Sequence, residues 1–477
     1  MISGISILLK WFLLFTFLFS CAVNPVTGER ELMLVSEEQE LRIGREAAPS
    51  MKWEFGGQYY DSSLESYLGT IVTRLWKNSE RPYLPMQFYI QNTSVPNAFA
   101  LPGYVAITRG LLSDMDNEAQ FAAVIGHEIG HVMARHTAQK ISRMTLQQLG
   151  LAVGAAALDG KRGSDTLLTV GAIGSSLLLL KYDRNQEIQA DRLGVKYMAE
   201  LGYDPNEAIS AHKILEKSVD NYLKRQGKSR EEDNFITSLL STHPETEVRL
   251  SEIRAMINEL PPYTIKNDGR FGRRFRTAAA KMREINKIYF IYDKAEKYYQ
   301  ENNFNEAERK LKEAIKLNSS QAPFHNLLGF VKMQQKNYAE AEKSFRKALS
   351  IDSGYQPSIY GTGLVRYFEG NYNQAIRKFK KSLELYPDHA LTHFGLGKSY
   401  LRVKQYSEAI PYLGYFAQAA PGNPEVHGLL GICYDMEGEI KPAVREYRYQ
   451  LQVAPDTELG RHSKERLAVL EPVLKLR

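Results

Sequence analysis

Apolar and polar positions change rhythm several times along the chain. Residues 11–19 form an apolar run, with Thr16 inside it, behind Lys10, shorter than the ~20 residues a transmembrane helix needs but of the length of a signal-peptide core. Residues 121–136 place apolar side chains at helical spacing with no proline, which predicts a helix. Residues 145–157 and 166–180 are apolar and interrupted by Gly154, Gly171 and Gly174. Both are too short to cross a bilayer and are expected to pack as helices near the site described below, with a membrane-leaning surface as the alternative. Beyond Pro261-Pro262 a segment with Arg270, Arg273, Arg274 and Arg276 reads as a solvated connector over 261–287, contact with lipid phosphates being the alternative.

The last third repeats itself. Ala307, Ala341, Ala375, Ala409 and Ala443 recur every 34 residues. Twelve residues before them stand Ala295, Gly329, Gly363, Gly397 and Gly431, and four residues after them Leu311, Phe345, Phe379, Leu413 and Tyr447. Pro387, Pro421 and Pro455 close the last three units. Small residues where two helices cross, bulky ones a turn further on, and proline at the end describe a stacked helix-turn-helix unit. The array resembles tetratricopeptide repeats, five of them over 288–457, with residues 458–477 as a capping helix. Ile440 and Pro442 depart from the aromatic-x-x-Ala signature, so an irregular start is expected for the last repeat helix. Such a stack exposes a concave face suited to a peptide or extended segment.

Composition narrows the classes. With 477 residues, 43% hydrophobic and 24% charged, the chain is long enough for about three domains of ~150 residues and is not disordered. The net charge of +6, from 61 basic and 55 acidic residues, is too mild to argue for a nucleic-acid partner. The two cysteines, Cys21 and Cys433, offer neither a disulfide framework nor a thiolate metal site. Cys433, beside Gly431 on a repeat helix, is read as a small buried residue. Leu18-Phe19-Ser20-Cys21 resembles a bacterial lipobox, which makes Cys21 the expected lipidation site of an exported lipoprotein with residues 1–20 removed. Cleavage after Ala22 to give a soluble periplasmic protein stays open.

Candidate chemistry sits on the predicted helix. His127 and His131 are four apart and share a face, so both imidazoles can grip one Zn²⁺ while Glu128 turns toward a water. His136, five residues after His131, falls about 140° round a continuous helix and reads as a surface histidine. Gly126 and Gly130 point to close approach of another element. A catalytic zinc needs a third protein ligand. Glu187 and Asp191, again four apart, supply a candidate ligand and a partner that hydrogen-bonds a ligating histidine or handles protons.

His-Glu-x-x-His, then Glu-x-x-Ala-Asp, with Asn97-Ala98-Phe99-Ala100-Leu101-Pro102-Gly103 upstream and Thr242-His243-Pro244 downstream, is similar to the M48 family of zinc metallopeptidases over roughly residues 25–260. The resemblance implies an α+β, mostly helical fold: an HExxH zincin-type domain over 21–260 with a small edge-strand sheet, followed by the α-solenoid of repeats. It implies His127, His131 and Glu187 as zinc ligands, Glu128 as general base and Asp191 as proton donor. It also implies Asn97–Ile107 as an edge strand that aligns a peptide substrate, with Asn97, His243 and Arg249 in substrate-binding or oxyanion roles. Tyr104 stands where relatives carry a glycine, and is expected to reshape that strand's turn. Joined to tetratricopeptide repeats, the layout is similar to that of periplasmic M48 peptidases that assist β-barrel assembly. Misfolded or stalled outer-membrane proteins are then the expected substrates, the β-barrel assembly machinery a partner, and a lipid anchor the link to the outer membrane. The competing reading is a periplasmic chaperone or scaffold with a structural or self-inhibited zinc site, for which Glu128 would be superfluous.

Overall fold

The structure is a computed structural model that describes residues 21–159, 181–232 and 247–476. It is mostly helical with little sheet, and it divides into two compact units, the first ending at Asp293 and the second starting at Lys294. Among the described residues no helix is long and apolar enough to cross a membrane. The expected export signal and the apolar stretch at 166–180 lie outside the described residues.

The first unit opens with a hairpin of β1 (Cys21–Val23) and β2 (Arg30–Leu32), antiparallel with Cys21 opposite Leu32. Helix α1 (Glu37–Glu54) starts with a capping box between Ser36 and Gln39, and α2 (Ser62–Lys77) starts on Asp61, whose carboxylate accepts from the Leu64 amide. Then come β3 (Met86–Gln91), β4 (Ala98–Leu101) and β5 (Gly103–Thr108), in the spatial order β3-β5-β4. β5 runs parallel to β3 and antiparallel to β4, with Ala98 opposite Ile107.

The expected edge strand over Asn97–Ile107 is therefore a hairpin, of which only β4 forms an edge and β5 is central. Pro102 and Gly103 make its two-residue turn, and Gly103 carries the positive φ of 93° that such a turn requires. Tyr104 lies just past the turn, buried between Phe99 and Tyr89, so it packs the sheet rather than reshaping the turn.

Six more helices lie in the described part of this unit, α3 (Arg109–Asp114), α4 (Glu118–Met133), α5 (His136–Asp159), α6 (Arg184–Leu201), α7 (Glu207–Gln226) and α8 (Glu247–Glu259), and α9 (Gly272–Gln300) starts in it and runs past Asp293. The apolar stretch 145–157 falls in α5. Helix α4 is buried almost end to end and touches α2, α6, α7 and β4. Its contact with α6 is made backbone to backbone. A Cβ on Gly126 would stand 3.1 Å from Gly194 Cα, one on Gly194 3.0 Å from the His127 nitrogen, and one on Gly130 3.0 Å from both Cα and O of Ala190. The two sequence glycines thus mark the approach of α6, and Gly194 is their counterpart.

The expected solvated connector over 261–287 is exposed over residues 261–268, but from Gly272 onward it is helix α9, whose inner face joins the first unit's core. Phe275, Ala279 and Met282 are fully buried against α4 and its neighbours. Two of the basic residues bind buried acids: Arg274 pairs with Glu118 in the first turn of α4, and Arg270 Nε lies 2.9 Å from Glu207 Oε1. A buried carboxylate needs such a cation, which is why these arginines do not read as a free basic surface.

In the second unit α10 (Phe304–Leu317), α11 (Ala322–Gln334), α12 (Tyr338–Ile351), α13 (Gln356–Phe368), α14 (Tyr372–Leu385), α15 (Ala390–Arg402), α16 (Tyr406–Ala419), α17 (Val426–Met436) and α18 (Ile440–Val453) follow in sequence, and α19 (Glu458–Leu476) packs on α18 through Leu467 and Leu470. Each repeat glycine faces the bulky side chain of the following helix. A Cβ on Gly329, Gly363, Gly397 or Gly431 would come within 2.4–2.7 Å of Phe345, Phe379, Leu413 or Tyr447. Helix α18 starts in phase at Ile440 rather than irregularly, because Pro442 falls in the first turn, where its missing N–H is not needed. Cys433 is fully buried, and burial pushes its thiol up to about 12.

Gly130→Val should force α4 and α6 apart and lower stability by about 1–3 kcal/mol, read from chemical denaturation followed by circular dichroism. Gly414→Ala, on a helix where a Cβ meets nothing within 4 Å, should be neutral or slightly stabilising by the same measurement.

Candidate metal centre

Two helices present the site. Helix α4, capped by Asn117, whose side chain accepts from the Gln120 amide, carries His127, Glu128 and His131. Helix α6 starts at a capping box between Asp183 and Gln186, which puts Glu187 in its first turn and Asp191 one turn further on the same face. The glycine contacts bring these faces together. His127 Nε2 lies 3.0 Å from His131 Nε2 and 3.6 Å from Glu187 Oε2, and His131 Nε2 lies 3.4 Å from Glu187 Oε1. Donors of a tetrahedral zinc with bonds of about 2.0–2.2 Å are roughly 3.3–3.6 Å apart, so two imidazoles and a carboxylate at these separations suit that ion. Among the described residues, His127, His131 and Glu187 are the group able to hold a metal, and all three are buried.

Arg249 and Asp191 brace the ligands. Arg249, 2% exposed, donates to Asp191 Oδ2 at 2.9 Å and Oδ1 at 2.8 Å, and its Nη1 lies 2.8 Å from Glu187 Oε2. His127 Nδ1 donates to Asp191 Oδ1 at 2.7 Å, which leaves Nε2 to face the other donors. Burial alone would raise the Asp191 pKa, but His127 and its other partners hold the carboxyl well below the usual range. Asp191 is thus a carboxylate whose oxygens accept from His127 and Arg249, the hydrogen-bond partner of a ligating histidine that its spacing suggests. The guanidinium of Arg249 is directed at Glu187 and Asp191 and also lines the cavity that holds Glu128. His243 lies outside the described residues.

Three further residues enter the site. His212 on α7 approaches Asp191 Oδ1 at 3.2 Å with its Nε2, and burial pushes its pKa down. Its signal in the sequence was present: one histidine in the otherwise apolar stripe of Ala208, Leu215 and Val219. Tyr182 stacks on the His131 ring at 4.0 Å. His136 is fully buried, not a surface residue, with its Nδ1 2.8 Å from His131 Nδ1 and its Nε2 2.8 Å from Gln189 Oε1. Burial pushes its pKa down to about 4. The expected helix stops at Met133 because Arg135 takes a φ of 59°. The turn folds His136 back behind His131 instead of letting it continue round a helix.

Glu128, 6% exposed, shares a cavity with His127, Asp191, Asn97 and Ala98. Asn97 stands half-buried at the head of β4, its amide donating to Thr108 Oγ1 at 2.9 Å. Away from the histidines the cavity is apolar, with Val124, Val195, Leu215, Val219 and Ile253 in its wall.

Two family models and several known proteins are similar to this chain. Residues 62–257 match the model of peptidase family M48, and residues 292–355 and 360–447 match a tetratricopeptide repeat model. The mitochondrial metalloendopeptidase OMA1 of Schizosaccharomyces pombe is 30% identical over 241 residues, which are 49% of this chain and 66% of that protein. The β-barrel assembly-enhancing proteases of Yersinia pestis and Escherichia coli K12 are 28% and 27% identical, covering 50% and 44% of this chain and 48% and 42% of their own. The matches therefore span 42–66% of these relatives' length. A solved structure of Pseudomonas aeruginosa pilF aligns with 40% of this chain and 92% of its own at 21% identity and a TM-score of 0.35. The chain carries a peptidase family M48 domain followed by tetratricopeptide repeats.

Proposed function

We propose that the chain is an exported zinc endopeptidase that hydrolyses misfolded or stalled envelope proteins, and that its repeats bind the substrate or the assembly machinery. The observation that carries this reading is the meeting of His127, His131 and Glu187 in a buried donor set, beside a cavity that also holds Glu128 and the head of an edge strand. A scaffold would need the first three residues but not Glu128.

His127, His131 and Glu187 would hold the ion. Zinc bound there supplies the Lewis acidity that polarises a scissile carbonyl and acidifies a water. Glu128 accepts the proton of the attacking water and passes it to the leaving amine. Asp191 and Arg249 keep His127 and Glu187 in place. β4, paired with β5 on one side, offers its other edge to an extended peptide, and Asn97 at its head is suited to fix that peptide's register. In this reading Cys21 is acylated and holds the mature chain at the outer membrane. Two relatives named as β-barrel assembly-enhancing proteases support the envelope as the setting.

Purified mature protein should contain about one zinc per chain by elemental analysis, and Glu187→Ala should hold it far more weakly. Glu128→Gln should keep the zinc yet cleave unfolded casein about 10²–10⁴-fold more slowly; unchanged cleavage would rule out the proposed base.

A further inference from the structure

Asp191 accounts for the orientation of His127, but nothing in the proposed mechanism accounts for what lies behind His131. Its Nε2 faces His127 and Glu187, and its Nδ1 is directed at His136. We infer that His136 and Gln189 are positioning residues for the metal, a relay that sets the tautomer and direction of His131. This inference rests on the zinc site proposed above.

One neutral arrangement of protons satisfies both relay links and leaves His131 able to ligate. His131 Nδ1–H donates to His136 Nδ1, His136 Nε2–H donates to Gln189 Oε1, and the lone pair of His131 Nε2 is left pointing at the donor set. The reverse arrangement would set two acceptors, His136 Nε2 and Gln189 Oε1, against each other and place a proton on His131 Nε2. Metal-ligating histidines generally donate their second N–H to a fixed acceptor. Here the acceptor behind one ligand is a carboxylate and behind the other a neutral imidazole. The relay also returns to its starting element: Gln189 sits on α6 two residues after Glu187, so the chain from His131 through His136 ends on the helix that carries the third ligand.

The backbone is built to hold His136 in that place. Arg135 occupies the left-handed region without being glycine, a conformation that persists only where its surroundings impose it. Its Nε donates to Glu40 Oε2 and its Nη2 to the Val35 carbonyl, both at 2.9 Å. Glu40 is also bound by Arg81 at 3.0 Å, and Arg81 donates to the Val132 carbonyl at 2.9 Å at the end of α4. The exit from α4 is thereby clamped on both sides of the turn that aims His136.

The test is equilibrium competition of the full-length protein with a chromophoric zinc chelator, alongside thermal unfolding of the metal-free protein. His136→Leu should weaken zinc binding about 10- to 100-fold with little change in metal-free unfolding. His136→Asn, whose Oδ1 can take the place of Nδ1 as acceptor, should restore most of the affinity. Gln189→Met interrupts the relay from its outer end and should shift affinity the same way, which covers the case that His136→Leu does not fold. The inference is overturned if the folded variants bind zinc within about twofold of wild type while Glu187→Ala loses it, or if only metal-free stability falls. Wild-type protein that binds no zinc would overturn the zinc site itself, and this inference with it.

Discussion

The metal centre depends on a backbone contact. Helices usually pack with axes 8–10 Å apart because side chains separate them. At Gly126, Gly130 and Gly194 no side chain intervenes, and any Cβ there would stand about 3 Å from the opposite main chain. That contact lets a first-turn glutamate on α6 reach two histidines in the middle of α4. Two further consequences follow from the same approach. Asp191, one turn beyond Glu187, meets the far nitrogen of His127, and Gln189 between them meets His136.

Burying so many charged groups beside one another requires that each be answered. Arg249 stands between Glu187 and Asp191, which would otherwise repel across a short distance in a poorly solvated site. Glu40 joins Arg81 and Arg135 at the end of α4, and Glu118 at its start meets Arg274, Tyr67 and Tyr203. The HExxH helix is thus held at both ends by ion pairs with elements distant in sequence, a rigid mounting for groups that must keep their geometry.

The second unit follows a different logic. Its contacts are between neighbouring helices at a constant sequence offset, so the same glycine-against-bulky-residue contact recurs from Gly329 to Gly431. Local, periodic contacts of this kind are legible from spacing alone. The metal-binding group was legible for a related reason: i,i+4 pairs on two helices project their side chains together whatever surrounds them. The edge strand was only half legible, since the register that makes β5 central and β4 an edge depends on pairing with β3.

What the sequence determined by itself is what rests on short-range periodicity: the 34-residue helical array, the His127–His131 and Glu187–Asp191 pairs, and the close approach that Gly126 and Gly130 announce. Tertiary structure alone decided the rest. Arg135 carries no local sign that a helix must break there, because the residue that holds it, Glu40, is far away in the chain. His136 therefore reads as a surface residue in sequence and is buried behind a ligand in the fold. Residues 261–287 read as a basic connector for the same reason, since the acids that pair with Arg270 and Arg274 lie on other helices. A side chain's charge is visible in sequence, but its partner is set by the fold.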